Sequence, residues 1–210
     1  MNTPQGFNSI KHIYHQEKFQ SYKFITFAHK LIAMKTTLPI IIAFVVLVQN
    51  VRAQENLNIK WYTLEEALEL NAKQPRKIFI DVYTDWCGWC KVMDKNTFSN
   101  QYIADYLSKN FYPVKLNAEG TNDITYKGQV FKNRGQGQRP VHDLAVALLQ
   151  GKLSYPSVVF LDSGSNPITF LSGYLTPEQL EPILAFIADD HFKTEQWETF
   201  RAKFVSKLPK

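Results

Sequence analysis

The sequence predicts a layered α/β domain in which helices flank a central mixed sheet of four or five strands. Two observations support this. Short apolar runs rich in β-forming residues alternate with stretches of helical periodicity, and capping residues mark the starts of several helices. With 210 residues, 45% of them hydrophobic, the chain is long enough for a well-buried core. The expected order is helix, strand, helix, strand, helix, hairpin, helix.

The first half of the predicted domain alternates helices with two strands. The first helix begins at a capping-box sequence, Thr63-Leu64-Glu65-Glu66, and ends near Gln74-Pro75. Apolar runs rich in β-formers predict the strands Lys77–Tyr83 (KIFIDVY) and Phe111–Asn117 (FYPVKLN). Between them we expect one helix from the WCGWC sequence to about Asn96, and another that Ser99 caps and that ends at about Lys109.

The second half opens with a polar insert at about residues 118–138, in which TYKGQVFK predicts a small hairpin with Lys127-Gly128 as its turn. The insert either shapes a partner surface or covers the sheet, and covering the sheet is the favoured interpretation. The remaining expected elements are a helix from Pro140 to just before Gly151, the strands Ser157–Leu161 and Ile168–Leu171, a helix from Thr176 to about Asp190, and an extra C-terminal helix at about 194–207.

Excess positive charge is confined to the first quarter of the chain. The 24 Lys and Arg against 19 Asp and Glu give a net charge of +5, which alone would suggest a nucleic-acid or anionic-membrane partner. Residues 1–53, however, contain six bases and one acid, so residues 54–210 have equal numbers of both. We therefore expect no nucleic-acid partner for the domain at 54–210.

Residues 34–53 have the layout of a secretory signal peptide. Met34-Lys35 precedes eleven residues without a polar side chain, Leu38–Val48, and Val51-Arg52-Ala53 offers a cleavage site after Ala53. The apolar run is about half of the ~20 residues that span a membrane, so an uncleaved anchor and a buried helix are the weaker alternatives. A cleaved chain would be secreted or periplasmic, with no stable membrane insertion.

The stretch ahead of this signal, residues 1–33, has no evident purpose there. We expect either that it is a disordered extension or that translation starts at Met34. Outside the cytosol, where a signal peptide would deliver the domain, disulfides persist.

Cys87 and Cys90 are the only two cysteines, and their spacing allows three interpretations. A structural disulfide across so short a loop would remove little entropy from the unfolded chain. A zinc site needs four ligands, and after residue 53 only His142 and His191 accompany the thiols. Redox chemistry is favoured, because Cys87 would lie where a helix N-terminus stabilises a thiolate and Cys90, one turn later, could attack a mixed disulfide.

The sequence KIFIDVYTDWCGWCK resembles the active-site strand and helix start of the thioredoxin superfamily, most closely secreted thioredoxin-like proteins with a WCGWC active-site motif. Four positions outside the cysteine motif also match in order: Asp81, Lys115, Tyr155-Pro156 and Gly173. The resemblance covers roughly residues 60–190. It implies a thioredoxin-like fold and a thiol–disulfide oxidoreductase that needs no cofactor beyond its redox-active disulfide.

The resemblance also implies roles for residues around the disulfide. Cys87 would be the nucleophile and Cys90 the resolving cysteine, while Asp81 would accept the proton of Cys90 and Lys115 would tune that carboxylate. A carboxylate inside an apolar strand is costly unless it has a partner or a task. The alternatives are that Asp81 points to solvent from a strand end and that Lys115 is a solvated lysine on an edge strand.

A second group of residues would bind an extended substrate segment. These are Trp86, Trp89, Tyr155 and Pro156, the last with a cis peptide bond. Trp86 could instead belong to the core. The partners implied are substrate proteins with disulfides and an upstream electron donor.

One departure from the family pattern bears on the direction of electron flow. Trp89 precedes Cys90, where many thioredoxins have Pro and disulfide oxidants have His. Without an imidazole there, the reduced form lacks one source of thiolate stabilisation, which favours a reductant or isomerase over a strong oxidant. The alternatives are a chaperone-like binding module on the same scaffold and, less favoured, a metal-handling thiol protein.

Overall fold

The computed structural model describes residues 58–135 and 137–209. The helices are α1 (Leu64–Lys73), α2 (Gly88–Met93), α3 (Gln101–Asn110), α4 (Asp143–Leu148), α5 (Pro177–Ala188) and α6 (Trp197–Lys203). The strands are β1 (Lys77–Tyr83), β2 (Phe111–Asn117), β3 (Ile124–Tyr126), β4 (Gln129–Phe131), β5 (Ser157–Leu161) and β6 (Pro167–Ser172). A π-helical segment, Asp94–Phe98, extends α2, and a 3₁₀ turn, His191–Lys193, precedes α6.

Four of the strands form one mixed sheet in the order β2-β1-β5-β6, which confirms the predicted architecture. Strand β1 runs parallel to β2 and antiparallel to β5, and β6 is antiparallel to β5. The parallel pair needs a crossover connection, which α2 and α3 provide. In its register, Asp81 of β1 lies opposite Lys115 of β2.

The sheet separates two hydrophobic cores, because alternate side chains of a strand point to opposite faces. In β1, Ile78, Ile80 and Val82 enter the core beneath α1 and α4. Phe79 enters the other core, which α3 and α5 cover. Because side chains alternate along the strand, Asp81 lies on the same face of the sheet as Phe79. Met93 of α2 packs on that face.

Side-chain capping groups mark the starts of most of the helices. The capping box predicted at Thr63 is present: its hydroxyl accepts from the Glu66 N–H at 3.2 Å, and the Glu66 carboxylate accepts from the Thr63 N–H at 2.8 Å. Thr176 and Gln179 form a second capping box, at the start of α5. Both boxes are local, which explains why the sequence pattern predicts them.

Two predicted helix starts are wrong. Asn100, not Ser99, caps α3, because the Ser99 hydroxyl donates to the Lys95 carbonyl of the π-helical segment instead. Helix α4 begins three residues after Pro140, because the ring of His142 caps it by accepting from the Leu144 N–H at 3.1 Å.

The C-terminal helix is shorter than the predicted 194–207 and covers Trp197–Lys203. Beyond it the chain is extended, because the buried Glu181 of α5 binds the chain end. Its carboxylate accepts from the Lys207 N–H at 2.6 Å and from the Ser206 hydroxyl at 2.5 Å. The bond to the Lys207 N–H satisfies a main-chain donor that a longer helix would pair with the carbonyl of Lys203.

The insert contains the predicted hairpin, with Lys127 (φ 51°) and Gly128 (φ 75°) as its turn. Positive φ at both central residues is the geometry that two-residue hairpin turns favour. Tyr126 anchors the hairpin to the core beneath α1 and α4, where the ring is buried and its hydroxyl donates to the Ser165 carbonyl at 2.6 Å. Through Tyr126, the hairpin adds to the core on this face of the sheet.

The predicted signal peptide at 34–53 and the extension at 1–33 lie outside the described residues and stay predictions. Within 58–135 and 137–209, no helix is long and apolar enough to cross a membrane.

The Phe79 side chain is the centre of an aromatic cluster and is fully buried. Its ring lies 5.4–6.5 Å from four other aromatic rings, those of Trp61, Phe98, Phe111 and Phe160. We expect Phe79→Ala to lower the free energy of unfolding by ~3–5 kcal/mol, because it removes these contacts and leaves a cavity. Guanidinium unfolding measures the change.

Val205→Ala is the matched control, because Val205 is 79% exposed and should change the free energy of unfolding by less than ~0.5 kcal/mol. Phe79→Leu keeps most of the side-chain volume, so it should lower the free energy of unfolding by less than Phe79→Ala does. Equal losses for the alanine variants at positions 79 and 205 would contradict the central role of Phe79.

Candidate active site

Cys87 and Cys90 form a disulfide at the junction between β1 and α2, with an S–S distance of 2.15 Å. Cys87 is the N-cap of α2, and its sulfur accepts from the Cys90 N–H at 3.1 Å. The Cys87 N–H donates to the Thr84 carbonyl at 3.1 Å, which fixes the turn that leaves the strand. This arrangement supplies a main-chain donor to Cys87, as a thiolate at that position requires.

Asp81 and Lys115 form a buried ion pair on the sheet face that carries α2. The carboxylate is 1% exposed, and the Lys115 Nζ lies 2.6 Å from its Oδ2. The same ammonium also pairs with Asp94, in the first turn of the π-helical segment, and lies 4.8 Å from the ring centre of Trp61. Lys115 is therefore shared between two carboxylates, and neither solvent-exposed alternative for Asp81 and Lys115 holds.

Burial dominates the electrostatics of this pair. The loss of hydration raises the pKa of Asp81 to about 6, even though the Lys115 ammonium opposes the shift. For Lys115, burial is the largest influence and favours the neutral amine, but the charges and hydrogen bonds of Asp81 and Asp94 together outweigh it, so the pKa of Lys115 is raised. The other carboxylate oxygen, Oδ1, has no hydrogen-bond partner in the described part of the chain. Asp81 can therefore bind and release a proton near neutral pH.

Two exposed indole rings flank the buried cysteines. Trp86 is 50% exposed and Trp89 62%, whereas Cys87 and Cys90 are each 4% exposed. Trp86 packs edge-on against Tyr155 at 6.2 Å between ring centres, and Trp89 lies 5.5 Å from the ring of Tyr174. Trp86 is thus a surface residue, and the alternative that it belongs to the core is wrong.

The peptide bond between Tyr155 and Pro156 is cis, as the resemblance implies. The Pro156 carbonyl accepts from the Gly173 N–H at 2.8 Å. Gly173 has a φ of +102°, a conformation that side chains disfavour, which explains a glycine there. The contact ties the loop before β5 to the end of β6.

The structure adds residues to this site that the sequence analysis did not single out. They are Trp61 and Asp94 around Lys115, Glu119 and Arg139 around Trp86, and Tyr174 beside Trp89. Asp94 lies four residues after Cys90, so helical spacing could have indicated it. Glu119 and Arg139 carried no such signal, because only the folded insert brings them to Trp86.

Two other features of the described residues bear on ligands. No group of three or more His, Cys, Asp or Glu in residues 58–135 and 137–209 is arranged to hold a metal ion. An apolar groove of about 620 Å³ lies between β6, α5 and α6, lined in part by Leu171, Ile183 and Phe186. Neither cysteine lines that groove.

Comparison with known proteins finds relatives of much greater length. The chain is 32% identical over 146 residues to the thiol:disulfide interchange protein DsbD of Vibrio vulnificus, covering 66% of this chain and 21% of that protein. It is 29% identical over 134 residues to uncharacterized protein B0495.5 of Caenorhabditis elegans, covering 62% of this chain and 16% of that protein. The chain thus spans about a fifth or less of these relatives.

Among solved structures, a putative disulphide-isomerase from Bacteroides thetaiotaomicron is 23% identical, with a TM-score of 0.46 and coverage of 69% of this chain and 100% of that chain. A family model named Thioredox_DsbH, described as a protein of unknown function, DUF255, matches residues 48–208. Because this match includes the disulfide, the Asp81–Lys115 pair and every strand of the sheet, the chain belongs to that thioredoxin-like family.

Proposed function

We propose that the chain is a thiol–disulfide oxidoreductase that reduces or isomerises disulfides in other proteins. The observation that carries the proposal is the disulfide at the start of α2, directly after the strand that carries a buried carboxylate whose pKa is about 6. The names of relatives that are thiol:disulfide interchange proteins support the same class of reaction.

The first step is nucleophilic attack by the reduced protein. The Cys87 thiolate attacks one sulfur of a substrate disulfide, forms a mixed disulfide with it and releases the other sulfur as a thiolate. The Cys90 N–H, which contacts the Cys87 sulfur at 3.1 Å, stabilises negative charge on that sulfur before the attack. Trp86, Trp89, Tyr155 and Pro156 hold the chain segments that flank the substrate disulfide.

The second step releases the substrate. Cys90 loses its proton to Asp81 and attacks the Cys87 sulfur, which forms the Cys87–Cys90 disulfide and expels the second substrate thiolate. Lys115 keeps the carboxylate available as a base by holding its pKa below the value that burial alone would impose. Two electrons pass to the substrate, and an external dithiol donor must return the pair to the reduced form.

The proposed location is outside the cytosol, in the secretory route or the periplasm. Support comes from the predicted signal peptide at 34–53 with cleavage after Ala53. Such a compartment contains proteins with disulfides, which the proposed reaction uses as substrates.

Replacement of the resolving cysteine tests the mechanism. In Cys90→Ser, Cys87 can still attack a substrate disulfide but the mixed disulfide cannot be resolved, so substrate proteins should accumulate as adducts on Cys87. Non-reducing gels of the purified variant, incubated with a disulfide-containing protein, detect adducts that dithiothreitol removes.

The Cys87→Ser/Cys90→Ser double variant is the matched control and should form no adducts. Absence of adducts with Cys90→Ser would remove the main support for the proposal. If a double Cys→Ala variant then suppressed protein aggregation as well as the wild type does, the chaperone-like alternative would take its place.

The raised pKa of Asp81 predicts a pH-dependent stability in the oxidised protein. Between pH ~4 and ~6 the folded protein holds a proton that the unfolded chain has lost, so stability is lost as pH rises through the folded pKa of about 6. The free energy of unfolding of Asp81→Asn, expressed as its difference from wild type, should rise by on the order of 2–3 kcal/mol from pH 4 to pH 7. Guanidinium unfolding at both values measures the gain.

Asp105→Asn is the control, because Asp105 is an exposed residue of α3 that contacts the Gln101 side chain. A pH dependence of unfolding that is the same in wild type and Asp81→Asn would show that Asp81 does not titrate as the structure implies.

The direction of electron flow is tested by the reduction potential of the Cys87–Cys90 pair. A reductant should equilibrate nearer to about −270 mV than to about −120 mV, the value of a strong oxidant. Equilibration in dithiothreitol redox buffers, followed by alkylation of free thiols, measures the potential. A potential near about −120 mV would show instead that the protein is an oxidant.

A further inference from the structure

The beginning of the insert and the residue that directly follows it converge on Trp86, the residue before Cys87. The Glu119 Oε1 accepts from the indole Nε1–H at 2.9 Å. The Arg139 guanidinium lies over the same ring, with its carbon 4.5 Å from the ring centre. Together with Tyr155, whose ring packs edge-on, these residues form what we name the Trp86 clamp.

The clamp residues are themselves anchored. The Asn133 side-chain amide donates to the carbonyls of Glu119, at 3.3 Å, and Pro140, at 3.0 Å, so it ties the beginning of the insert to its end. The residue before Glu119, Ala118, donates its N–H to the carbonyl of Tyr83, at the end of β1, at 2.8 Å. Glu119 and Arg139 therefore approach Trp86 from backbone that is fixed to the strand leading into the active site.

The contacts to Trp86 are of kinds that orient a ring at the surface. An N–H donated to a carboxylate is a charge-assisted hydrogen bond, and a guanidinium over an indole is a favourable cation–π contact. Trp89, which is more exposed, has among the described residues one aromatic neighbour, Tyr174. Within residues 58–135 and 137–209, the two indoles beside the disulfide thus differ: charged groups contact Trp86, whereas no charged group contacts the ring of Trp89.

We propose that Glu119 and Arg139 are positioning residues that determine substrate specificity by holding Trp86 as a fixed wall beside Cys87. A polypeptide segment next to a substrate disulfide packs on this wall, whereas a small disulfide is too short to use it. The clamp therefore favours disulfides within polypeptide chains over small-molecule disulfides. The inference rests on the proposed oxidoreductase function and assigns a role to the insert.

Kinetics with two substrates test the clamp. Glu119→Ala and Arg139→Ala should each lower kcat/KM for reduction of insulin about five- to tenfold, equivalent to ~1–1.4 kcal/mol. For 2-hydroxyethyl disulfide, kcat/KM should change less than about twofold. Glu119→Gln keeps an oxygen that can accept the indole N–H and should retain at least half of the insulin activity.

Asp123→Asn is the matched control, because Asp123 pairs with Lys132 at 2.6 Å within the insert and is not one of the clamp residues. It should leave both kcat/KM values unchanged. Equal losses on both substrates in the alanine variants would overturn the inference, as would unchanged insulin reduction.

A second readout reports on the clamp without catalysis. The ¹⁵N–¹H signal of the Trp86 indole, assigned by its loss in Trp86→Phe, should shift and exchange faster with water in Glu119→Ala but not in Asp123→Asn. An unchanged signal would show that Glu119 does not hold the ring. If the wild type reduces neither substrate, the proposed function fails and the specificity inference with it, even where the indole signal shows the clamp to be present.

Discussion

A charged carboxylate inside an apolar sheet is costly without a partner, and Lys115 reaches Asp81 from the neighbouring strand. The parallel register of β1 and β2, which places the two residues opposite each other, makes this pairing possible. The crossover that allows the strands to be parallel includes α2, whose first turn holds the disulfide. The ion pair, the parallel pairing of β1 with β2 and the position of the cysteines therefore all depend on one connection.

The same pairing leaves one oxygen of the Asp81 carboxylate without a hydrogen bond among the described residues. Oδ2 binds Lys115, but Oδ1 is buried with no partner among the described residues, and Asp94 draws on the same ammonium. Complete pairing would stabilise the anion and lower the pKa of Asp81; incomplete pairing leaves the effect of burial dominant. At neutral pH the protein is thus less stable than it would be with an apolar residue at position 81. Such strongly shifted pKa values are common at functional sites.

Local patterns predicted most of the elements, and tertiary contacts decided the rest. The capping boxes at Thr63 and Thr176 and the hairpin turn at Lys127-Gly128 need only neighbouring residues, so the sequence shows them. The start of α3 was misplaced by one residue because Ser99 and Asn100 are both good caps and the π-helical segment occupies Ser99. Asp81 and Lys115 were identified through the family resemblance, whereas Glu119 and Arg139 meet Trp86 only after the insert folds.

The contact between Gly173 and Pro156 bears on how the proposed oxidoreductase would bind a polypeptide segment. Proline has no N–H to offer, and the Pro156 carbonyl is already engaged by Gly173. In the proposed function, Pro156 would therefore offer an incoming segment no N–H and only the second lone pair of its carbonyl, which would leave Tyr155 as the main backbone partner at this loop. Backbone pairing through a single residue favours an extended substrate segment but discriminates very little between its side chains. A protein built in this way would accept many unrelated sequences and discriminate chiefly between chain segments that are open and those that are already folded.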